Sequence, residues 1–174
     1  MKKMLLVVDF QKDFVDGSLG FSKAVELDRK IANRIKQAKK DGEIIIFTMD
    51  THQSDYLDTH EGKNLPVMHC LEGSDGWELY GETGKTIENP IYVKKSAFGG
   101  LGLIEALKPY ENENLEIEIC GVVTNMCVIS NAVICKATLP EAPITINSKL
   151  CASFDDVLHA KAIDVMESMQ MKII

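Results

Sequence analysis

Short apolar runs alternate with segments of helical period along this chain, and that alternation restricts it to folds in which helices cover both faces of a mainly parallel sheet. Residues 4–8 form an apolar run ended by Asp9, and residues 24–40 place Ala24, Leu27, Ile31, Ile35 and Ala38 at helical spacing with Lys and Arg between them. A strand is expected at 43–49 after the Asp41-Gly42 break, another at 91–93 after Pro90, and a short helix at 101–107 stopped near Pro109. The pattern then predicts a strand over 115–123, a helix over 125–138, a strand over 144–147 after Pro143, a helix over 154–169 capped by Ser153, and a last strand at 172–174. The expectation is one α/β domain over residues 1–174, a three-layer α/β/α arrangement with a Rossmann-like sheet. The stretch 51–89 stands outside the alternation, and loops of that length in compact domains usually serve function.

A net charge of −7 with no basic stripe argues against a nucleic-acid partner. No apolar run nears the roughly 20 residues of a bilayer span, and the N-terminal run meets Asp9 too early for a secretion signal, so no membrane partner and a cytoplasmic location are expected. The five cysteines, at 70, 120, 127, 135 and 151, lack disulfide-framework spacing and are expected to be reduced.

Ligands of open α/β sheets bind at the carboxyl ends of the strands. Asp9, Asp50, Lys94 and Lys95 fall at such ends, and Cys127 sits in Gly121-Val122-Val123-Thr124-Asn125-Met126-Cys127, where a strand gives way to a helix. Free amides and the helix dipole there favour a thiolate and can hold an oxyanion. Taken singly, the acids could cap turns, the lysines could be solvated and the cysteine could be core. Together an acid, an amine and a thiol suit covalent acyl transfer.

The long loop gathers Asp50, His52, Asp55, Asp58, His60, Glu61 and His69, including three of the chain's four histidines. Asp-x-His on an extended segment puts two ligands on one side of the backbone, and mixed His and carboxylate donors suit Zn, Fe or Mn. A polar loop whose histidines only hydrogen-bond is the alternative, and Cys70 is a lesser soft ligand. Gly81-Glu82-Thr83-Gly84-Lys85-Thr86 ends like a phosphate-binding loop, but position 79 is Leu79 instead of glycine and the segment precedes a strand, so an ordinary turn is expected. Trp77 is expected to pack the loop, and His159 to lie partly exposed on the last helix.

The segments Val7-Val8-Asp9-Phe10-Gln11-Lys12-Asp13-Phe14, Asp50-Thr51-His52, Leu65-Pro66-Val67-Met68-His69-Cys70, Lys95-Ser96-Ala97-Phe98-Gly99 and the Cys127 motif make the chain resemble the isochorismatase-like cysteine hydrolases, and among them nicotinamidases, over essentially its whole length. The resemblance implies a triad of Asp9, Lys95 and Cys127, a cis peptide between Val122 and Val123, and an oxyanion hole from the Val123 and Cys127 amides. It implies a divalent metal, Zn before Fe or Mn, on Asp50, His52, Glu61 and His69, with His60 the alternative to Glu61. It further implies a small-molecule amide substrate, nicotinamide foremost, lined by Phe14, Leu65 and Phe98, and a homo-oligomer. Relatives hydrolysing isochorismate or carbamoyl and ureido compounds generally lack the metal set, and a non-catalytic redox thiol is a third alternative. The chain departs from the family in having Asn125 where Asp is usual, Leu65 where an aromatic stacks on the pyridine ring, and Lys94 beside Lys95.

Overall fold

The computed structural model describes residues 1–86 and 88–174; Ile87, inside the long 51–89 stretch, lies outside the described residues. Strands β1 (Lys2–Val8), β2 (Ile44–Asp50), β3 (Ile91–Lys95), β4 (Leu115–Val122), β5 (Ile144–Ala152) and β6 (Lys172–Ile173) form one sheet in the order β3-β2-β1-β4-β5-β6. Every pairing is parallel. The helices are α1 (Lys12–Val15), α2 (Ser22–Val25), α3 (Asp28–Lys40), α4 (His60–Asn64), α5 (Gly81–Gly84), α6 (Gly102–Leu107), α7 (Ile129–Thr138) and α8 (Asp156–Ser168). Among the described residues no helix is long and apolar enough to cross a membrane.

The chain walks outward from β1 through β2 to β3, then returns to β4 beside β1 and continues to β5 and β6. Right-handed crossovers in opposite directions place α3 on one face and α6, α7 and α8 on the other, in agreement with the α3–α5, α6–α7 and α7–α8 contacts. The reversal falls between β1 and β4, so the crevice at their carboxyl ends is the fold's natural ligand position. Both strands are sealed there: the last five residues of β1 and the last four of β4 are buried. Gly121 makes the approach possible, because a Cβ at that position would lie 2.1 Å from the Val8 carbonyl oxygen and its φ of +121° disfavours side chains.

The alternation predicts these elements, with differences that have local causes. The helix expected over 24–40 is divided into α2 and α3, and Asp28, in the first turn of α3, accepts hydrogen bonds from the Glu82 and Thr83 amides. The lookalike phosphate loop is thus the helical turn α5, its leading amides taken by a carboxylate. Strand β5 runs five residues beyond the expected 144–147, since a register shift lets Cys151 and Ala152 pair with Gly121 and Val122. Helix α8 is capped by Asp155, which accepts from the Leu158 amide; Ser153 faces Asn125 instead. All five cysteines are free and buried.

At the opposite end of the sheet Arg34 of α3 binds Glu118 of β4 at 2.8 Å and Glu43 at 2.7 Å, and Asn147 of β5 donates to Glu118 at 2.9 Å. Burial alone would raise the Glu118 carboxyl, but the hydrogen bonds from Arg34 and Asn147 outweigh it and hold its pKa below 4.5. A depressed carboxyl stabilises the fold above its unfolded pKa and loses that contribution as pH falls through the folded one. Glu118→Gln is expected to lower unfolding free energy by about 1–3 kcal/mol at neutral pH, and denaturant titrations should show the deficit narrowing below pH 4.5.

Candidate active site

Asp9 leaves β1 in a left-handed conformation, with φ +46°, that turns its fully buried side chain across the ends of the neighbouring strands. Its amide donates to the Thr48 carbonyl at 3.2 Å, and the Thr48 hydroxyl donates to Asp9 Oδ1 at 2.6 Å. Lys95, the last residue of β3 and paired in register with Asp50, crosses β2 to place Nζ 2.7 Å from Asp9 Oδ2 and 3.0 Å from Asp50 Oδ1. The same ammonium donates to the Ala97 carbonyl at 3.0 Å and lies 3.5 Å from Cys127 Sγ. Lys94, its neighbour, points the other way to Glu72 and the Trp77 ring, as strand alternation requires.

Cys127 stands on a single π-helical turn, Thr124–Val128, between β4 and α7, and the Val122–Val123 peptide is cis. Among the described residues the Val123 amide donates to no backbone carbonyl, and the Cys127 amide belongs to the same turn as its thiol. Burial, then the Asp9 charge, pushes the Cys127 thiol well above its ordinary pKa, with Lys95 opposing. Burial likewise raises Asp9 against the pull of Lys95. Burial would lower Lys95, but Asp9, Cys127 and Asp50 raise it well above its usual value, so it stays an ammonium. A buried thiol beside a carboxylate of raised basicity and a fixed cation is an arrangement in which the thiol proton can pass to Asp9.

Asp50, His52, Glu61 and His69 bring one donor atom each within 4.8 Å of one another. His52 Nε2 lies 3.0 Å and His69 Nε2 3.4 Å from Asp50 Oδ2, and Glu61 Oε1 is 3.9 Å and 3.8 Å from the same two nitrogens. His69 Nδ1 is 2.8 Å from the Val67 carbonyl; donation there leaves the Nε2 lone pair inward, the tautomer a metal ligand needs. Two imidazoles and two carboxylates fit a first-row divalent cation. His60 is exposed and outside this group. Cys70 is buried, its thiol raised by burial, and likewise outside.

A cleft of about 790 Å³ opens beside these groups, lined among others by His52, Glu61, Leu65, Phe98 and Met126, the neighbour of Cys127. Leu65 is 37% and Phe98 47% exposed, leaving apolar surface for a ligand. Phe14, expected as a third wall, is instead buried with its ring 5.4 Å from that of His69, where it supports the imidazole and leaves the cleft to others.

Several positioning groups escape the sequence pattern. Gln11 clamps the Asp50 backbone, accepting from its amide at 2.8 Å and donating to its carbonyl at 2.9 Å. Thr48 holds Asp9, and its one signal is the two-residue spacing from Asp50 on the same face of β2. His159, expected only to be partly exposed, also meets the Thr124 hydroxyl at 2.9 Å. Trp77 packs the loop as its sequence context predicts, its indole donating to Thr51 at 2.9 Å.

The family model described as Isochorismatase domain matches residues 3–174. The uncharacterized isochorismatase family protein PncA of Bacillus subtilis is 30% identical over 176 residues, which cover 94% of this chain and 93% of that protein. The crystal structure of nicotinamidase/pyrazinamidase PncA from Bacillus subtilis matches with a TM-score of 0.86 at 26% identity over 99% of both chains. The pyrazinamidase of Pyrococcus horikoshii, in complex with zinc, shares the fold with a TM-score of 0.86 at 22% identity, covering 100% of this chain and 99% of that one. With this match running from β1 to β6, the chain belongs to the isochorismatase family.

Proposed function

We propose that this protein is a cysteine-dependent amidohydrolase of a small neutral amide, nicotinamidase-like, converting nicotinamide to nicotinate and ammonia through a thioester. The observation that carries the reading is the Lys95 ammonium, 2.7 Å from Asp9 and 3.5 Å from Cys127 Sγ. Asp9 accepts the thiol proton while Lys95 holds the forming thiolate, and Sγ attacks the amide carbon. The Val123 and Cys127 amides hold the tetrahedral oxyanion, where one such donor is worth about 10²-fold or more in rate. As the C–N bond breaks, Asp9 passes its proton to the nitrogen and ammonia leaves. Asp9 then takes a proton from water, whose oxygen attacks the thioester; collapse expels the thiolate, which recovers the proton from Asp9.

Asp50, His52, Glu61 and His69 would hold the cation, with zinc the first candidate and iron or manganese the others. Bound there, it would supply a coordination site for a substrate ring nitrogen or a water and so fix the pose. The family's hydrolases of isochorismate and of carbamoyl or ureido compounds are the alternative reading. Among the described residues no Lys or Arg lines the cleft, and Lys95 is committed to two carboxylates. An anionic substrate would therefore find no protein cation in the cleft, and the cation proposed there would already face the Asp50 and Glu61 carboxylates, which favours a neutral amide. A redox-sensing thiol needs no proton acceptor, whereas Cys127 sits against Lys95, which is itself paired with Asp9.

Zinc-loaded wild type is expected to release ammonia from nicotinamide, and Cys127→Ala to lose at least about 10³-fold in kcat. Absence of turnover in the intact, metal-loaded protein would overturn the nicotinamide assignment, and full activity in the variant would overturn the cysteine mechanism. Elemental analysis and zinc titration should show Glu61→Ala weakening metal binding by about tenfold or more, with His60→Ala unchanged; the reverse order would move the fourth ligand to His60.

A further inference from the structure

Asn131 lies on α7, four residues past Cys127, and is fully buried. Its carboxamide makes three hydrogen bonds. Nδ2 donates to the Cys127 carbonyl at 2.7 Å and to the Phe98 carbonyl at 3.1 Å, and Oδ1 accepts from the Gly100 amide at 2.9 Å. One side chain therefore joins the turn that bears the thiol to the loop that follows Lys95. That loop is itself a partner of the lysine, since Lys95 Nζ donates to the Ala97 carbonyl. Two glycines bring it close: a Cβ at Gly99 would lie 2.8 Å from Ile134 of α7, and one at Gly100 would lie 3.3 Å from Lys95 Cβ and 3.4 Å from Asn131 Oδ1. The aliphatic stem of Lys95 thus packs against the residue whose amide Asn131 holds.

We propose that Asn131 is a positioning residue that sets the separation between Cys127 Sγ and Lys95 Nζ by pinning the nucleophile turn and the lysine loop to one carboxamide. The inference rests on the assignment of Cys127 as nucleophile and Lys95 as its cationic partner. At 3.5 Å the ammonium is in direct reach of the sulfur, and its hold on a forming thiolate weakens as the pair parts. Asparagine suits this role because it is uncharged at every working pH and because a buried carboxamide offers donors and an acceptor in one plane. Asn131→Asp keeps the acceptor for Gly100 but withdraws both donors, whereas Asn131→Leu withdraws all three bonds.

The test compares zinc-loaded wild type, Asn131→Asp and Asn131→Leu in two assays. One is kcat and KM for nicotinamide. The other is the rate at which iodoacetamide alkylates Cys127, followed by peptide mass spectrometry. Glu118→Gln, whose polar cluster lies at the far end of the sheet, controls for lost stability. The expected result is a fall of about tenfold or more in kcat for both Asn131 variants, with KM within about threefold, and a parallel slowing of alkylation that Glu118→Gln does not show. Alkylation and turnover within about twofold of wild type in a folded Asn131 variant would overturn the proposal. So would failure of both variants to fold, which would give Asn131 to the scaffold. Because alkylation does not depend on the natural substrate, a wild type inactive on nicotinamide would count against the proposed function while the alkylation rates still decided the role of Asn131.

Discussion

A single buried ammonium organises this site. Lys95 is almost wholly removed from water, and burying an isolated cation costs several kcal/mol unless charge is brought to meet it. Asp9 and Asp50 meet it from β1 and β2. Each of these carboxylates also belongs to a second cluster: Asp9 faces Cys127, and Asp50 faces His52 and His69. The thiol centre and the imidazole centre are therefore two halves of one electrostatic unit joined through Lys95. Two carboxylates against one ammonium leave an excess of negative charge, and it falls on the side where the imidazoles gather, which is where a divalent cation would be best accommodated.

The sheet makes this concentration of charge tolerable. In a parallel sheet covered on both faces, the carboxyl ends of adjacent strands converge in space while the strands themselves are held by ladder hydrogen bonds and apolar burial. Asp9, Asp50, Lys95 and the Cys127 turn follow from four such ends, so their side chains need no long excursions to meet. Gly121 lets β4 approach β1 closely enough to align the thiol with the acid, and Thr48 fixes the acid's rotamer. Gln11 does the same for the Asp50 backbone in place of a further strand. Polar groups that would be costly alone hold one another in place, and Asp9 Oδ2, without a hydrogen-bond partner, is met by the Lys95 charge at 2.7 Å.

The residues whose chemistry is visible in their type were the legible ones. Asp9, Asp50, Lys95 and Cys127 stand at strand ends, and periodicity locates strand ends well because burial on both faces imposes long apolar runs. The loop's donors were legible as a set, since Asp-x-His on extended chain puts both side chains on one side. The choice between Glu61 and His60 was not, because adjacent residues on the short helix α4 differ by about a third of a turn and only the packed helix shows which of them faces the histidines. The contact of Phe14 was hidden for a similar reason: the resemblance names it as a pocket wall, and only packing shows its ring against that of His69. Asn131, Thr48 and Gln11 carry no chemical label at all, and hydrogen-bonding residues of this kind become meaningful only through the partners that long-range packing supplies.

What the sequence by itself determined was the order of strands and helices, the reduced state expected of the cysteines, and the inventory of acid, amine, thiol and imidazole at the strand ends. These follow from local periodicity and from side-chain chemistry, both of which act over a few residues. What only the tertiary structure decided was the distances: that Asp9 and Asp50 both meet Lys95, which loop residue faces the histidines, how far β5 extends, and how Asn131 ties the thiol's turn to the lysine's loop. Those depend on contacts between segments separated by tens of residues along the chain. Such contacts are set by the packing of the whole sheet and its helices, and no local pattern encodes them.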